Sequence, residues 1–345
     1  MAGVFECIDV EANDPRLDAF REVRDRDLRG SLRLHAIESE RVVRRYLAAA
    51  LRRRAHPMPP ILEPHMLLAT PDALSRLADV LTATVGDPCA HDPCAHDPCD
   101  GDQGAAFPAL TVFRCADEQA LHSITGYTMH SGAIALGRRA DDGSIDELSA
   151  YLARENVGGA RPVRDVLVAL DAITQTDNIG AIFRNAASFG ARAVVLSPRA
   201  SDPFLRKAMR VSMGRAVNLP WARARGDEWP ACLDRLRREQ GYMIIAAEDT
   251  TNAVDLATFK PPARSIVVFG AEENGVSPAV LGLADAVVKI PMSKLGSALA
   301  NDPPSLNVSI ASAVTASVRN LKTIGACVAW SQLGTAPGAV GCTTT

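Results

Sequence analysis

The hydrophobic positions in the second half of the chain form short continuous runs separated by amphipathic segments. DVLVALDAI, AVVLS, YMIIAAE, SIVVFGAE and AVVKIPM have the length of buried strands, while IFRNAASFG and FLRKAMRVSMG repeat apolar residues at helical spacing. Strands that alternate with helices in this way predict a mainly parallel sheet with right-handed crossovers. The pattern therefore predicts a doubly wound α/β domain over residues 161–324.

The first half of the chain mixes helical and strand patterns and predicts a smaller α/β domain over residues 1–138. RLDAFREVRDRDLR and ESERVVRRYLAAALRRR have the apolar spacing of amphipathic helices, and PPILEPHMLLAT, ALTVFRC and HSGAIALGRR contain strand-length apolar runs. The polar stretch 139–160, with one short helical pattern between glycines, is expected to connect the domains. Residues 325–345 lose this periodicity and are expected to form a poorly ordered tail.

Length and composition agree with two folded domains. The 345 residues are too many for one ordinary core, and 47% of them are hydrophobic. No apolar run reaches the ~18 residues of a membrane-spanning helix, and the N-terminus lacks the basic start and apolar core of a secretory signal. We therefore expect a cytoplasmic protein without membrane contact, whose eight cysteines are reduced.

The net charge of −3 hides two basic stretches. The segment from Arg16 to Arg54 contains twelve arginines and six acidic residues, and the segment from Arg199 to Arg225 contains seven basic residues and only one acid, Asp202. Such stretches can neutralise RNA phosphates. Arginines on solvated helix faces give the same pattern, so charge by itself supports RNA binding only weakly.

A tandem repeat occupies residues 87–99, where the unit DPCAH occurs twice and begins a third time. Its cysteines and histidines are zinc-ligand types. Structural zinc sites, however, usually pair ligands from separated segments, whereas this repeat lies on one loop interrupted by prolines. Repeat expansion in a tolerant surface loop is the favoured interpretation, and no functional metal is expected.

Three polar segments directly follow strand-like runs in the second half. They are DNIGAIFRNAASFG (177–190), FGAEENGVS (269–277) and IPM…SLNVSIASAV (290–314). Open α/β sheets bind ligands beyond the carboxyl ends of their strands. The first segment is expected to open a helix, whose N-terminus together with Arg184 would suit a phosphate. In the second, Gly270 would let a ligand approach the backbone closely.

Together and in this order, the three segments resemble the motifs of the SpoU (TrmH) family of RNA 2′-O-methyltransferases, in the SPOUT class. The resemblance implies a C-terminal trefoil knot, S-adenosylmethionine as cofactor, a homodimer, and structured RNA as substrate, with ribosomal RNA slightly favoured over transfer RNA. The first domain, through GYTMHSGAIALG, resembles the family's substrate-binding domain. Transfer of a sulfonium methyl group demands no metal.

The resemblance also implies roles for individual residues. The implied catalytic residues are Asn178, Arg184, Glu272, Ser305 and Asn307, and the implied cofactor-binding residues are Gly270, Ile290 and Leu306. Arg184 has been proposed in the family as the activating group. Because a guanidinium hardly ever loses its proton in a protein, orienting an RNA phosphate is the favoured role.

Two other functions are alternatives. One is a catalytically silent RNA-binding or ribosome-assembly relative, which the five intact catalytic positions argue against. The other is a different nucleotide-binding α/β enzyme, which the absence of G-x-G-x-x-G and GK[ST] phosphate loops argues against. Residues 293–304 add twelve positions between IPM and SLN, more than the family commonly has. This insertion is expected to change loop geometry rather than activity.

Overall fold

Two sheets carry the protein, one in each half of the sequence. The computed structural model describes residues 7–21, 32–55, 62–83, 110–129, 131–139, 142–158, 165–292 and 305–324. Within these ranges, no helix is both long enough and apolar enough to cross a membrane. The repeat at 87–99, the insertion at 293–304 and the tail at 325–345 lie outside them.

The first sheet is mixed. Its strands are β1 (Cys7–Asp9), β2 (Leu34–Glu38), β3 (Leu62–Ala69), β4 (Thr111–Arg114) and β5 (Ala133–Arg139), in the order β1-β4-β3-β5-β2. Strands β1, β4 and β3 are parallel, and β5 is antiparallel to both β3 and β2. The helices are α1 (Glu40–Ala55), α2 (Pro71–Thr82) and α3 (Glu118–Thr125). This domain has the predicted α/β composition.

The first predicted helix, RLDAFREVRDRDLR, is observed only in part. Pro15–Phe20 forms a short 3-10 helix, in which the Asp14 side chain accepts a hydrogen bond from the Arg16 backbone N–H. Arg21 then takes an extended conformation and ends the helix. The remainder, residues 22–31, lies outside the described ranges.

The second sheet has seven strands, all paired in parallel. They are β6 (Asp165–Asp171), β7 (Ala193–Leu196), β8 (Trp221–Arg223), β9 (Met243–Ala247), β10 (Val254–Asp255), β11 (Arg264–Gly270) and β12 (Ala286–Lys289). The helices of this half are α4 (Ile145–Gly158), α5 (Thr176–Ser188), α6 (Arg206–Val211), α7 (Ala231–Gln240), α8 (Pro278–Leu281) and α9 (Val308–Ile324). Core clusters on both faces of the sheet explain why β6 and β11 are continuous apolar runs. The predicted parallel α/β fold is confirmed.

The order of the strands creates a switch point at the centre of this sheet. The order is β10-β12-β9-β11-β6-β7-β8, so the chain leaves β6 in one direction through β7 and β8 and later returns to its other side at β11. A crevice forms at such a point, beyond the carboxyl ends of the strands. The first two motifs follow β6 and β11 and therefore meet there. The trefoil knot stays a prediction.

The predicted connection between the domains contains a helix that packs on the second sheet. Ile145, Leu148 and Leu152 of α4 are buried in the same cluster as Leu167 of β6 and Leu233 of α7. Helix α4 thus belongs structurally to the second domain, although the stretch 139–160 was interpreted as a connection. Its apolar residues at three- and four-residue spacing are the reason.

A buried ion pair joins the two domains. Arg139, the last residue of β5, donates to Asp202 at 2.7 Å, and its guanidinium lies over the rings of Phe204 and Trp221 at 5.4 and 5.2 Å. Burial acts to raise the pKa of Asp202, but the Arg139 charge and a hydrogen bond from the Phe204 backbone N–H hold that pKa below its usual range. The pair thus stabilises the protein at neutral pH, and its contribution is lost as pH falls through the lowered pKa.

Removing this guanidinium should loosen the joint between the domains. We expect Arg139→Ala to lower the free energy of unfolding by about 3–5 kcal/mol, because it leaves Asp202 buried without its cation. Urea and thermal unfolding measure the change. Arg238→Ala removes an exposed guanidinium that pairs with Asp234; it is the control and should cost under ~1 kcal/mol. Equal losses in the two variants would show that Arg139 does not act as the joint.

Candidate active site

A buried asparagine connects the three motifs. Asn178, in the first turn of α5, is 4% exposed, and its amide N–H donates to Glu272 Oε1 of the second motif. Its carbonyl oxygen accepts a hydrogen bond of 3.1 Å from the Asn307 amide of the third motif. A further bond of 3.3 Å reaches Gln175. Asn178, Glu272 and Asn307 therefore form one hydrogen-bonded cluster.

The third motif is fixed to the first by a second asparagine. Asn307 precedes α9, and its side-chain oxygen accepts from the Ser309 backbone N–H at 2.9 Å, as an N-cap does. On α5, the Asn185 amide donates to the Ser309 carbonyl at 2.8 Å and to Ser312 Oγ at 2.9 Å. Asn307 caps α9 and also donates to Asn178, so the residue that starts this helix is a member of the cluster as well.

The second motif is a tight turn closed onto its own strand. A Cβ at Gly270 would lie 2.0 Å from the Gly275 carbonyl carbon, and Ala271 and Gly275 exchange two backbone hydrogen bonds of 3.1 and 2.9 Å. The expectation that Gly270 is a glycine to admit a ligand therefore needs correction. The space above Gly270 is filled by the chain itself, and backbone contact with a cofactor at this residue stays a prediction.

Two carboxylates outside the three motifs, which the sequence did not identify, hold this turn in place. Glu248, after β9, accepts from the Val276 N–H at 2.6 Å. Asp171, the last residue of β6, accepts from the Ser277 N–H at 2.9 Å and from the Trp229 indole at 3.0 Å. Each lies at the carboxyl end of a buried strand, Asp171 as the last residue of β6 and Glu248 directly after β9. A polar residue at the carboxyl end of an apolar run is the sequence signal that could have identified them.

The structure places Arg184 apart from the cluster. It lies eight residues after the first residue of α5, about 12 Å along the helix axis. Its side chain is exposed and makes no hydrogen bond or ion pair within the described ranges. At the helix start itself, Asp177 pairs with Lys207 at 2.7 Å. The sequence suggests a single anion site formed by the helix N-terminus and Arg184. In this chain the two do not form one site.

The implied cofactor residues lie in different surroundings. Ile290 is half-buried and packs against Ile245, Leu256 and Val288 beside the end of β12. Leu306 is 42% exposed, directly before Asn307, and Ser305 next to it is also exposed. An exposed leucine beside a polar cluster gives an apolar surface where a ligand can bind.

Both basic stretches are partly neutralised by ion pairs. Acidic partners are present for Arg16, Arg21, Arg44, Arg206, Lys207, Arg223 and Arg225. Arg199 and Arg210 are exposed and have no acidic partner in the part of the chain that the structure describes. The local charge excess is therefore smaller than the sequence count.

No metal-binding group is found among the described residues: no three His, Cys, Asp or Glu side chains come together to hold an ion. The repeat at 87–99 lies outside them. The described cysteines Cys7, Cys115 and Cys232 are free thiols, and burial raises the pKa of Cys115 to about 11 and that of Cys232 to about 12.

Comparison with known proteins agrees with this geometry. The model of the SpoU rRNA Methylase family matches residues 165–317, which include all three motifs. An uncharacterised tRNA/rRNA methyltransferase of Mycobacterium bovis is 30% identical over 311 residues, which cover 88% of each chain. The chain belongs to the SpoU family of RNA methylases. The resemblance inferred from the motifs is confirmed.

Solved structures extend the similarity of this SpoU-family protein to both domains. An AdoMet-bound rRNA methyltransferase from Sinorhizobium meliloti has a TM-score of 0.64 at 18% identity, covering 92% of this chain and 98% of the other. An RNA 2′-O ribose methyltransferase has a TM-score of 0.59 at 19% identity, covering 92% and 100%. At these identities, the likeness shows a shared fold.

The missed carboxylate Glu248 provides a test of how the turn is held. Glu248→Ala leaves the N–H of buried Val276 without its acceptor, which should cost about 1–3 kcal/mol. We expect faster amide hydrogen exchange across residues 271–277. Glu248→Gln keeps an acceptor oxygen and should stay close to the wild type. Unchanged exchange in the alanine variant would mean that the turn holds itself.

Proposed function

We propose that this SpoU-family protein transfers a methyl group from S-adenosylmethionine to a ribose 2′-hydroxyl in structured RNA, with ribosomal RNA favoured over transfer RNA. The observation that carries the proposal is the hydrogen-bonded cluster of Asn178, Glu272 and Asn307. It brings one residue from each motif to the switch point of a parallel sheet, where such folds bind ligands. The names of the two similar structures support the same cofactor and reaction.

The cofactor would bind on the β12 side of the cluster. Ile290 and Leu306 would pack against the adenine ring, and backbone groups of the turn after Gly270 would hydrogen bond to it. The side chains fit this use, because Ile290 already belongs to an apolar cluster and Leu306 is exposed. When bound, S-adenosylmethionine supplies an electrophilic methyl group.

The chain's own residues would then align the acceptor. Ser305 and Asn307 would face the reacting ribose, and Asn178 and Glu272 would hold Asn307 in register across the cluster. Arg184 has an exposed guanidinium without an acidic partner in the described ranges, so it is available to an RNA phosphate. Its role would be to orient the RNA and to stabilise charge.

Homodimer formation is part of the proposal. Ile310 on α9 is 53% exposed, and Leu306 just before that helix is 42% exposed. An exposed apolar side chain of this size on α9, such as Ile310, suits contact with a second copy. Sedimentation of the full chain measures the state.

Methyl transfer with labelled S-adenosylmethionine and fractionated total RNA tests the reaction. A 2′-O-methyl group blocks alkaline cleavage at its nucleotide, so label should be recovered in alkali-resistant dinucleotides from ribosomal RNA. Label recovered on a base would disprove ribose methylation. RNA binding without any transfer would favour the catalytically silent alternative.

Arg184→Ala should abolish methyl transfer but retain binding of S-adenosylmethionine. We expect the single-turnover rate to fall by about 100-fold or more, because the acceptor is no longer held in line. Affinity for S-adenosylmethionine should stay within a few fold, since Arg184 is not among the residues that would hold the cofactor. Arg154→Ala, an exposed helical arginine on α4, is the matched control. Wild-type rates in Arg184→Ala would remove this residue from the mechanism.

A further inference from the structure

A cavity lies beside the hydrogen-bonded cluster, at the same edge of the sheet. The cavity has a volume of about 310 Å³, within the range of roughly 300–1,000 Å³ that small-molecule sites occupy. Its lining includes Asp171 at the end of β6 and Gln175 after it, Arg199 after β7, and Glu272 and Glu273 after β11.

The cavity and the implied cofactor residues lie on opposite sides of the 271–277 turn. The cavity is on the β6 and β7 side of β11, whereas Ile290 follows β12, which lies beyond β9 on the other side. Neither Ile290 nor Leu306 is among the described residues that line it. Glu272 belongs to both regions, since it lines the cavity and accepts the Asn178 hydrogen bond.

The cavity floor is rigidly built. The Ala172 N–H donates to Ser197 Oγ at 2.7 Å, and the Ser201 N–H donates to the Ile173 carbonyl at 2.9 Å. Arg223 donates to the Ala200 carbonyl at 2.6 Å. Ala172 is held at φ 57°, a left-handed conformation that costs a non-glycine residue about 1–2 kcal/mol. Such strain persists where the surroundings impose it, often at a binding site.

The charges around the cavity select the ligand's chemistry. Three carboxylates, those of Asp171, Glu272 and Glu273, line the cavity together with one cation, Arg199, and this excess of negative charge repels a phosphate. Both oxygens of Asp171 already accept hydrogen bonds from the protein, so Glu272 and Glu273 are the carboxylates left to bind a ligand. Carboxylates accept hydrogen bonds from N–H groups, and Gln175 offers both a donor and an acceptor. The Arg199 guanidinium is exposed and has no partner within the described ranges, so its plane can stack on a flat ring.

We propose that this cavity receives the nucleobase of the nucleotide whose ribose is methylated, and that the base carries an exocyclic amino group. The inference rests on the proposed function. Gln175 connects the two regions, because it lines the cavity and accepts from the Asn178 amide at 3.3 Å. A base held there would place its ribose beside the cluster, where Asn307 would face the 2′-hydroxyl and the cofactor's methyl group could reach it.

Titration of the full chain with mononucleotides tests the ligand class. The probes are adenosine, cytidine, guanosine and uridine 5′-monophosphates, with ribose 5-phosphate as the phosphate-only probe, detected by saturation-transfer NMR. At least one amino-bearing nucleotide should bind more tightly than the uridine nucleotide, and ribose 5-phosphate should not compete. Tightest binding of uridine nucleotide, equal binding of ribose 5-phosphate, or no binding of any nucleotide would overturn the proposal.

Variants of Arg199 test the site. Arg199→Ala should weaken nucleotide binding about tenfold, because the ligand loses one contact with the charged guanidinium. The melting temperature should not change, because the Arg199 side chain is exposed. Arg199→Lys keeps the charge but not the plane, so it should recover only part of the affinity. Full recovery by lysine would assign a phosphate site, and unaltered binding by the alanine variant would remove Arg199; either result contradicts the proposal. Arg154→Ala is the control.

Titration with S-adenosylmethionine separates this inference from the proposed function. Arg199→Ala should bind the cofactor as the wild type does. A wild-type protein that binds S-adenosylmethionine and transfers methyl groups but binds no nucleotide would contradict the cavity assignment alone. A protein that binds nucleotides but neither binds nor uses S-adenosylmethionine would contradict the proposed function instead.

Discussion

The candidate site depends on the turn that follows β11, where the backbone of residues 271–277 folds back onto its own strand. The contact is so close at Gly270 that no side chain fits between the strand and the turn. Two carboxylates from neighbouring strands, Asp171 and Glu248, bind backbone N–H groups of the turn from either side. This arrangement brings Glu272 to Asn178 and at the same time forms one wall of the cavity.

The loop after β7 couples the site to the other domain. Arg199 in this loop lines the cavity, and three residues later Asp202 pairs with Arg139 of the first domain. Arg223 fixes the backbone between them through the Ala200 carbonyl. The position of the first domain is therefore mechanically connected to one wall of the cavity.

Electrostatics at the site differ from those suggested by the linear charge count. Within the described ranges, three arginines of the two basic stretches pair with acids that are distant in sequence, Arg44 with Asp79, Arg206 with Glu38 and Arg223 with Asp142. Exposed cations without acidic partners in the described ranges, Arg184 and Arg199 among them, lie on the second domain, and Arg199 lines the cavity. A few placed charges can guide RNA there although the whole chain carries a net charge of −3.

By itself, the sequence determined the parallel α/β fold of the second domain and the three segments that meet at its edge. Both are local signals, because the apolar runs report strands and polar residues directly after them report the carboxyl edge. Only the tertiary structure decided that β11 lies between β6 and β9, which makes Asn178 contact both Glu272 and Asn307. It also decided that Arg184 lies away from the helix start and that α4 packs on the second sheet. Strand order and side-chain direction depend on contacts between residues far apart in sequence, which no local pattern contains.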